Sequence, residues 1–284
     1  MTDYKLWLSH FIQNALEEDL GDGDHTSLSS IPATAEGKAK LLVKETAVLS
    51  GVEVASQIFS FIDPSFRINI MIADGQPVQP GDVAFIIEGK VHSILKAERL
   101  VLNVMQRMSG IATQTARYVE ELSGLKTRVI DTRKTTPGMR YLEKEAVRHG
   151  GGMNHRMGLF DMILLKDNHI DYAGGIEKAV KGALAYRKEK SLAIPIEVEA
   201  RSLQDVTFIA SIPGVDRVMF DNFTIEQTRE AVKITARRVE TESSGGITLS
   251  NLRAYAECGV DFISVGALTH HVKSIDLSLK AFTD

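Results

Sequence analysis

Apolar residues recur with two different spacings near the start of the chain. Leu6–Leu16 places its apolar residues three or four positions apart, which predicts an amphipathic helix, and Val52–Ile62 predicts a second helix. Ala39–Val48, Phe66–Ile72 and Val83–Ile87 predict strands, because apolar and β-branched residues cluster there between turn residues. The pattern therefore predicts a small α+β unit at this end of the chain.

The next segment, Ser93–Leu122, has the apolar spacing of one long helix. Ser109-Gly110 lies in its middle and predicts an interruption, because glycine is unfavourable inside a helix. This helical segment separates the α+β unit from a region with a different pattern.

Beyond Leu122, short apolar runs alternate with helical stretches. Alternating strands and helices predict a parallel sheet, and nearly continuous apolar strands predict a sheet covered on both faces, as in a barrel. The six predicted strands are Thr127–Ile130, Met162–Leu165, Pro195–Val198, Arg217–Phe220, Arg238–Thr241 and Phe262–Val265. The helices predicted after them are Tyr141–His149, Gly175–Lys188, Leu203–Ile212, Ile225–Ala236 and Leu249–Cys258.

Polar residues or glycine follow each of these strands. The carboxyl ends of parallel strands meet at one edge of a sheet, where barrel enzymes carry their active sites. One polar strand end is an ordinary turn, whereas six together indicate a functional site. The residues are Asp131–Lys134, Lys166–His169, Glu199, Asp221–Asn222, Ser243–Gly246 and Gly266–Ala267.

Charge is unevenly distributed along the chain. The net charge is −4, yet the segment Lys126–His169 holds nine basic and five acidic residues, so it is +4 and the remainder is −8. A basic island in an acidic protein favours a small anionic ligand over nucleic acid. Any single basic residue can be explained by a salt bridge or by a solvated position on the surface. The basic residues as a group predict a ligand with several negative charges. The basic side chains expected at the carboxyl edge are Arg133, Lys134, His155, Arg156 and Lys166.

Three acidic residues are expected at the same edge. Glu199 and Asp221 end two of the strands, and Glu197 lies two positions before Glu199, so both glutamates are expected to face the interior. Such carboxylates suit Mg²⁺ beside a polyphosphate, and they equally suit ribose hydroxyls. For Glu197 the alternative is an ion pair with a lysine in the core.

Glycine turns follow the two last strands, in Ser243–Gly246 and Val265–Ala267. The loops after the late strands of such barrels commonly bind phosphate through backbone N–H groups. The sequence therefore predicts a phosphate site next to an acidic centre and a cationic region.

The amino-acid composition limits the class of protein to which this chain can belong. Charged residues are 25% and hydrophobic residues 44% of the chain, as in ordinary globular proteins, and Cys258 is the single cysteine, which excludes an intrachain disulfide. No apolar run is long enough for a membrane helix, and acidic residues arrive too early for a secretory signal. We therefore expect a cytosolic protein that has no membrane or nucleic-acid partner.

Long motifs across the chain resemble the quinolinate phosphoribosyltransferase family. They include Asp131-Thr-Arg-Lys-Thr-Thr-Pro-Gly138, Gly150-Gly-Gly-Met-Asn-His-Arg156, Lys166-Asp-Asn-His169 and Ser244-Gly-Gly-Ile247. The resemblance implies an enzyme, a pentosyltransferase of de novo NAD biosynthesis. It would join quinolinate to phosphoribosyl pyrophosphate with Mg²⁺ and form nicotinate mononucleotide, pyrophosphate and CO₂.

The same resemblance implies a fold and an assembly. The fold is an N-terminal α/β sandwich (residues 1–111) followed by an incomplete parallel α/β barrel (residues 112–271), with a C-terminal helix (residues 272–284) returning to the first domain. The assembly is a homodimer with shared active sites, and a hexamer stays open. In each site Arg107 of the partner subunit would join the carboxylate-binding residues.

Position by position, the resemblance assigns roles to the strand-end residues. Arg133, His155 and Arg156 resemble the quinolinate-binding set, to which Thr132 of the same motif is added as substrate-binding. Lys134 and Lys166 resemble catalytic lysines near the pyrophosphate and the ring, and Glu199 and Asp221 resemble the catalytic residues around the ribose and Mg²⁺. Those resembling the 5′-phosphate site are Ser244, Gly245, Gly246 and Gly266.

The number of cations favours quinolinate over nicotinate, because a ring with one carboxylate would leave some of them unpaired. Three rival functions remain open. They are a lyase that uses Lys134 or Lys166 as a Schiff base, a non-catalytic sugar-phosphate binder, and a related transferase acting on another ring acid.

Overall fold

A computed structural model describes residues 4–282; Met1–Asp3 and Thr283–Asp284, which the expected domain limits include, lie outside the described residues. The helices are α1 (Tyr4–Leu20), α2 (His25–Ser30), α3 (Val52–Ile62), α4 (Val91–Glu121), α5 (Arg140–His149), α6 (Asp167–Ala173), α7 (Ile176–Glu189), α8 (Leu203–Ile209), α9 (Ile225–Thr235), α10 (Leu252–Ala256) and α11 (Ala267–His270). The strands are β1 (Glu36–Val43), β2 (Ala47–Val48), β3 (Arg67–Ile70), β4 (Pro77–Val78), β5 (Val83–Lys90), β6 (Arg128–Ile130), β7 (Ile163–Leu165), β8 (Ile196–Ala200), β9 (Arg217–Asp221), β10 (Glu240–Ser244), β11 (Phe262–Ser264) and β12 (Leu277–Phe282). None of the helices in this range is long and apolar enough to cross a membrane.

The chain forms two compact units. The first comprises residues up to Ala116, the segment Thr136–Gly151 and residues from His271 onward, and the second comprises Arg117–Thr135 and Gly152–His270. This division differs from the one expected at residue 111, because the first unit extends to Ala116 and also includes α5, which lies in sequence between two strands of the second unit.

The first unit is built on an antiparallel sheet of order β12-β1-β5-β3, with β2 and β4 paired separately. Helix α3 packs on this sheet through Phe59, whose ring meets Phe85 of β5 edge-on at 5.9 Å between centroids. The α/β sandwich expected from the resemblance is confirmed.

The C-terminal helix expected over residues 272–284 is wrong, because Leu277–Phe282 forms strand β12. Leu277 and Leu279 are buried while Ser278 and Lys280 alternate with them, which is the two-residue period of a strand. The segment pairs antiparallel with β1, from Lys38 opposite Phe282 to Val43 opposite Leu277.

Helix α4 runs without the interruption expected at Ser109-Gly110. A Cβ atom at Gly110 would clash with the backbone carbonyl of Lys273, so glycine permits a close approach of two chain segments there. The Ser109 hydroxyl accepts the N–H of Ser50 at 3.0 Å. Both residues therefore serve tertiary contacts within the first unit.

The second unit is a six-stranded parallel sheet of order β6-β11-β10-β9-β8-β7. Over residues 4–282, β6 and β7 stand at opposite edges and no ladder joins them, so the barrel is incomplete, as the resemblance implied. Helices α6 to α10 connect its strands.

Strand β10 lies later than predicted, over Glu240–Ser244 instead of Arg238–Thr241. Its sequence is almost entirely polar, so hydropathy offers no signal, yet Thr241, Glu242 and Ser243 are buried. Inside the unit Thr241 Oγ1 donates to Asp261 at 2.7 Å and Glu242 meets Arg217 at 3.2 Å, and a local pattern cannot reveal such partners.

Candidate active site

The carboxyl edge of the parallel sheet collects almost all of the predicted site residues. Loops after β6 and β7 carry the lysines, β8 and β9 carry the acidic residues, and the turns after β10 and β11 carry the glycines. All of these belong to the second unit. Arg107, on α4, belongs to the first unit and is described separately.

The loop after β6 is held by two hydroxyl groups. Thr132 Oγ1 accepts the backbone N–H of Lys134 at 3.0 Å, and Thr269 Oγ1 donates to the Lys134 carbonyl at 2.8 Å. Arg133 and Lys134 are exposed on this loop. Their backbone is therefore fixed while their charged groups stay available to a ligand.

Arg156 is an unusual arginine because only 8% of it is exposed. Its Nη1 donates to the carbonyl of Met162 at 3.3 Å. Burial lowers the pKa of Arg156, and the positive charge of Arg133 lowers it further, while Glu197 and Asp161 act in the opposite direction. The two guanidinium groups are thus near enough for their charges to repel, and an anion bound between them would relieve this repulsion.

The loop before Arg156 is anchored by a buried carboxylate to which the sequence analysis gave no individual role. Asp131, fully buried at the end of β6, accepts the backbone N–H of His155 at 2.8 Å and the Asn154 side-chain amide at 2.6 Å. An acidic residue directly after a buried strand was the available signal. Asp131 positions the segment that carries Arg156.

A buried charge cluster lies behind this loop and consists of His155, Glu197, Arg217 and Glu242. His155 Nε2 lies 3.0 Å from Glu197 Oε2 and 3.4 Å from Glu242 Oε2, and Arg217 Nη1 lies 3.2 Å from the same Glu242 oxygen. The Arg217 guanidinium also covers the ring of Phe262 at 4.0 Å. The partner of Glu197 is therefore a histidine, and the alternative of a core lysine is wrong.

The cluster divides its charge unequally between the two glutamates. Burial and the neighbouring Glu242 raise the pKa of Glu197 to about 7. Burial also raises the pKa of Glu242, but His155, Ser264 and Arg217 outweigh it, and the net direction is downward. Near neutral pH the pair thus carries one firmly ionised carboxylate, which Arg217 balances.

The proton of His155 is placed by its two neighbours. Burial lowers the pKa of this imidazole, but Glu197 and Glu242 outweigh burial and raise it to about 9, because both carboxylates favour a proton at Nε2. Nδ1 instead accepts the backbone N–H of Arg156 at 2.6 Å. The two carboxylates thus favour the charged imidazolium, whereas the hydrogen bond from Arg156 favours a ring whose Nδ1 carries no proton.

Glu199 and Asp221 lie on adjacent strands, β8 and β9, and the Asp221 charge acts on Glu199. Burial raises the pKa of Glu199, the Asp221 carboxylate adds to this rise, and the Lys166 ammonium opposes it. The predicted acidic centre therefore contains two interacting carboxylates with a lysine beside them. This set of oxygen donors fits a hard divalent cation or a pair of hydroxyl groups.

Asp221→Asn is expected to lower the pKa of Glu199, because it removes a like charge, whereas Lys166→Gln is expected to raise it. The folded protein keeps a proton on Glu199 at pH values where the unfolded chain has lost it. The free energy of unfolding therefore falls as pH rises through this window, and the fall should be smaller in Asp221→Asn. Carboxyl ¹³C NMR titration measures the shift, and equal pKa values in both variants would contradict the pairing.

The glycines after β10 and β11 allow close backbone approach. Gly245 has φ +93° and a Cβ atom there would collide with the side chain of Asn222. Gly246 has φ +63°, and a Cβ atom at Gly266 would crowd Lys134 and His270. Any residue other than glycine would place a side chain in the space beside these turns. A phosphate bound by backbone N–H groups needs that space to be empty.

Arg107 is held within the first unit by a buried carboxylate. Its side chain, 25% exposed, donates from Nε to Glu143 Oε1 at 2.7 Å and from Nη2 to the Thr136 hydroxyl at 3.0 Å. The sequence by itself would place Arg107 on a solvated helix face. The structure gives it a fixed direction instead.

Two domain families together match most of the chain. The C-terminal domain of quinolinate phosphoribosyl transferase matches residues 111–280, and its N-terminal domain matches residues 24–109. Quinolinate phosphoribosyltransferase (decarboxylating) 1 of Nicotiana glauca is 42% identical over 98% of this chain and 83% of its own length. A probable nicotinate-nucleotide pyrophosphorylase (carboxylating) of Bacillus subtilis is 41% identical over 97% of this chain and 92% of its own length.

A solved structure agrees with the sequence relatives. The crystal structure of NadC from Streptococcus pyogenes superposes with a TM-score of 0.91 at 36% identity and covers all of both chains. The site geometry, the two domain matches and these relatives lead to one conclusion. The chain belongs to the quinolinate phosphoribosyltransferase family.

Proposed function

We propose that this protein transfers the phosphoribosyl group of phosphoribosyl pyrophosphate to quinolinate with loss of CO₂, and so forms nicotinate mononucleotide in de novo NAD biosynthesis. The observation that carries the proposal is the pairing of Arg133 with the nearly buried Arg156 at the carboxyl edge. Two like charges held together need an anionic partner, and a ring with adjacent carboxylates supplies two negative charges. The relatives named above carry the same activity in their names.

The chemistry requires stabilisation of charge and no covalent nucleophile. The pyridine nitrogen forms a bond to the anomeric carbon while the bond from that carbon to the pyrophosphate oxygen breaks. Positive charge grows on the sugar and negative charge on the leaving group. Glu199 and Asp221 stabilise the sugar side, and Lys134 and Lys166 stabilise the departing pyrophosphate.

Decarboxylation follows from the charge of the product ring. Once the nitrogen carries the ribosyl group, the ring is cationic and accepts the electron pair that the adjacent carboxylate leaves behind as CO₂. A proton then replaces the carboxylate on that carbon. Arg133 and Arg156 keep the ring oriented during these steps, while Ser244 and the glycines after it hold the 5′-phosphate.

Mg²⁺ is part of the proposal. Glu199 and Asp221 would hold it, since the Asp221 carboxylate already disfavours ionisation of Glu199 and a divalent cation relieves that repulsion. When bound, the ion supplies positive charge to the pyrophosphate oxygens.

Assembly and location complete the proposal. We infer a homodimer in which Arg107 reaches the partner's carboxylate site, supported by the fixed direction that Glu143 gives to its guanidinium. A hexamer built from such dimers would also bring Arg107 to the partner's carboxylate site. The single cysteine, buried and unpaired, supports a reducing compartment such as the cytoplasm.

Carbon dioxide release from carboxyl-labelled quinolinate tests the function. We expect release only when phosphoribosyl pyrophosphate and Mg²⁺ are both present, with one pyrophosphate formed for each CO₂. Nicotinate is the control substrate, and its use at a comparable rate would indicate a different ring acid specificity. Binding of phosphoribosyl pyrophosphate without turnover, or trapping of Lys134 or Lys166 by borohydride with a carbonyl substrate, would overturn the proposal.

A further inference from the structure

The turn that follows β9 has an unusual backbone. Asn222 has φ +55°, a left-handed conformation that residues other than glycine rarely adopt and that asparagine and aspartate tolerate best. Three other non-glycine residues between residues 4 and 282 have positive φ, and Asn222 is the one of the four that directly follows a strand of the parallel sheet. Its place at the carboxyl edge makes this strained residue a candidate for a functional role.

Both neighbours of Asn222 are anchored, so the chain must turn sharply between them. Asp221 is the last residue of β9. Phe223 is buried, its ring stacks on that of Phe220 at 5.5 Å between centroids, and its carbonyl accepts the Tyr255 hydroxyl at 2.9 Å. These contacts hold the left-handed turn and leave the Asn222 side chain exposed.

The amide of Asn222 holds the Asp221 carboxylate. Its Nδ2 donates to Asp221 Oδ2 at 2.8 Å. An aspartate at a strand end can rotate about two side-chain bonds, and a hydrogen bond from a neighbouring amide restricts that rotation. Asn222 therefore directs one of the two carboxylates of the acidic centre.

The same residue contacts the turn after β10. Asp221 and Ser244 are the last pair of the ladder between β9 and β10, and the Asn222 N–H donates to the Ser244 carbonyl at 2.9 Å. A Cβ atom on Gly245 would collide with the Asn222 side chain, so this side chain lies against the backbone of that glycine. One residue thus links the acidic centre to the backbone turn expected to bind phosphate.

We propose that Asn222 is a positioning residue that joins the Asp221 carboxylate to the turn at Gly245 and fixes the two groups relative to each other for a sugar that carries a 5′-phosphate. The carboxylate would bind a hydroxyl group of the sugar, and the backbone N–H groups of the turn would bind the phosphate. The inference rests on the proposed function, which assigns these two groups to the ribose and its phosphate. The alternative is that Asn222 serves only to accept the left-handed backbone.

Two substitutions of Asn222 separate the amide from the backbone. Asn222→Gly accepts φ +55° without strain and lacks the amide, whereas Asn222→Asp accepts this backbone but places a second carboxylate against Asp221. We expect Kd for ribose 5-phosphate, measured by calorimetry, to rise about tenfold in Asn222→Gly because a hydrogen bond to a charged group is lost, and to rise further in Asn222→Asp. Kd for quinolinate should not change in either variant. An unchanged Kd for ribose 5-phosphate in Asn222→Gly would show that the residue serves only the turn, and would overturn the proposal.

Ser191→Gly is the matched control for the loss of a side chain from a left-handed backbone. Ser191 has φ +51°, is exposed, and follows α7 in the same unit. Both Kd values should be those of the wild type. A loss of ribose 5-phosphate binding equal to that in Asn222→Gly would contradict the proposal.

A double-mutant cycle tests the contact between Asn222 and Gly245. The strain of alanine at residue 245, where φ is +93°, is the same in both backgrounds, whereas its Cβ collides with the Asn222 side chain only where that side chain is present. We therefore expect Gly245→Ala to lower the unfolding temperature less in Asn222→Gly than in the wild type. Equal decreases in both backgrounds would show that the two residues do not interact, and would overturn the link.

The proposed function and this inference fail in different ways. If the wild type binds ribose 5-phosphate but releases no CO₂ from quinolinate, the proposed function fails, while the Kd of Asn222→Gly still decides the inference. If CO₂ is released and Asn222→Gly binds ribose 5-phosphate as the wild type does, the inference alone fails. A wild type that bound no ribose 5-phosphate would also overturn the inference.

Discussion

Arg133→Ala and Arg156→Ala are each expected to lower kcat/KM for quinolinate by about 10⁴-fold. A loss of this size is typical when a buried polar interaction between an enzyme and its substrate loses one of its two partners. In the proposed function each guanidinium would form paired hydrogen bonds with one carboxylate of the ring, so removing one guanidinium would leave a carboxylate unpaired. Arg133 is exposed, so its loss leaves the fold unchanged. Arg156 is buried and also offsets the charge of Glu197, so its removal is expected to cost some stability as well.

The control for this experiment is Arg253→Ala. Arg253 is an exposed arginine on α10 of the same unit, and its Nε pairs with Glu257 at 3.2 Å. It should keep its activity, since exposed pairs contribute little. Circular dichroism establishes that each variant is folded. Near-normal turnover of quinolinate by Arg133→Ala would show that the carboxylate site lies elsewhere.

Mixing two inactive variants, Arg107→Ala and Lys166→Ala, is expected to restore about a quarter of wild-type activity after subunit exchange. Random reassembly makes half of the dimers mixed, and each mixed dimer has one site that receives an intact Arg107 and an intact Lys166. The recovery depends on the proposed sharing of sites between subunits. Activity is measured as CO₂ release against the mixing ratio and should be greatest at equal amounts.

The double variant Arg107→Ala/Lys166→Ala, mixed with wild type, is the matched control. In that mixture each site of a mixed dimer lacks one of the two groups, so activity should follow the square of the fraction of wild-type chains, whereas sites complete within one chain would make it follow that fraction itself. Arg107→Ala leaves the buried Glu143 with the Thr136 N–H at 3.1 Å, so its unfolding temperature must be checked. Absence of recovery by two folded variants that exchange subunits would mean that each active site is complete within one chain.

The sequence patterns predicted well which site residues lie at the carboxyl ends of the strands. Lys134, Lys166, Glu199 and Asp221 each follow or end a buried strand, and parallel strands bring such residues to one edge. The structure places them at this edge of the second unit, with Glu199, Asp221 and Lys166 close enough to influence one another. The hydrophobic pattern predicts this location because it identifies the strands, and the direction of each strand then fixes the edge of the sheet at which its last residues lie.

Strand β10 and the C-terminal segment show where the patterns fail. Thr241 and Glu242 of β10 meet charged partners in the interior, so the rule that buried strands are apolar misplaced this strand. At the C-terminal end, the two-residue alternation of Leu277–Phe282 was present in the sequence, but the resemblance was taken to imply a helix there. Pairing with β1 makes this segment a strand.

The sequence by itself determined the class of this protein. Its alternation of strands and helices, its polar strand ends and its long motifs specify a parallel sheet with a cationic site, since these are local properties of the chain. Only the tertiary structure decided which charges meet, because His155, Glu197, Arg217 and Glu242 are far apart in sequence and become neighbours when the strands pair. The energy of a buried charge depends on partners brought by folding, and no local pattern encodes it.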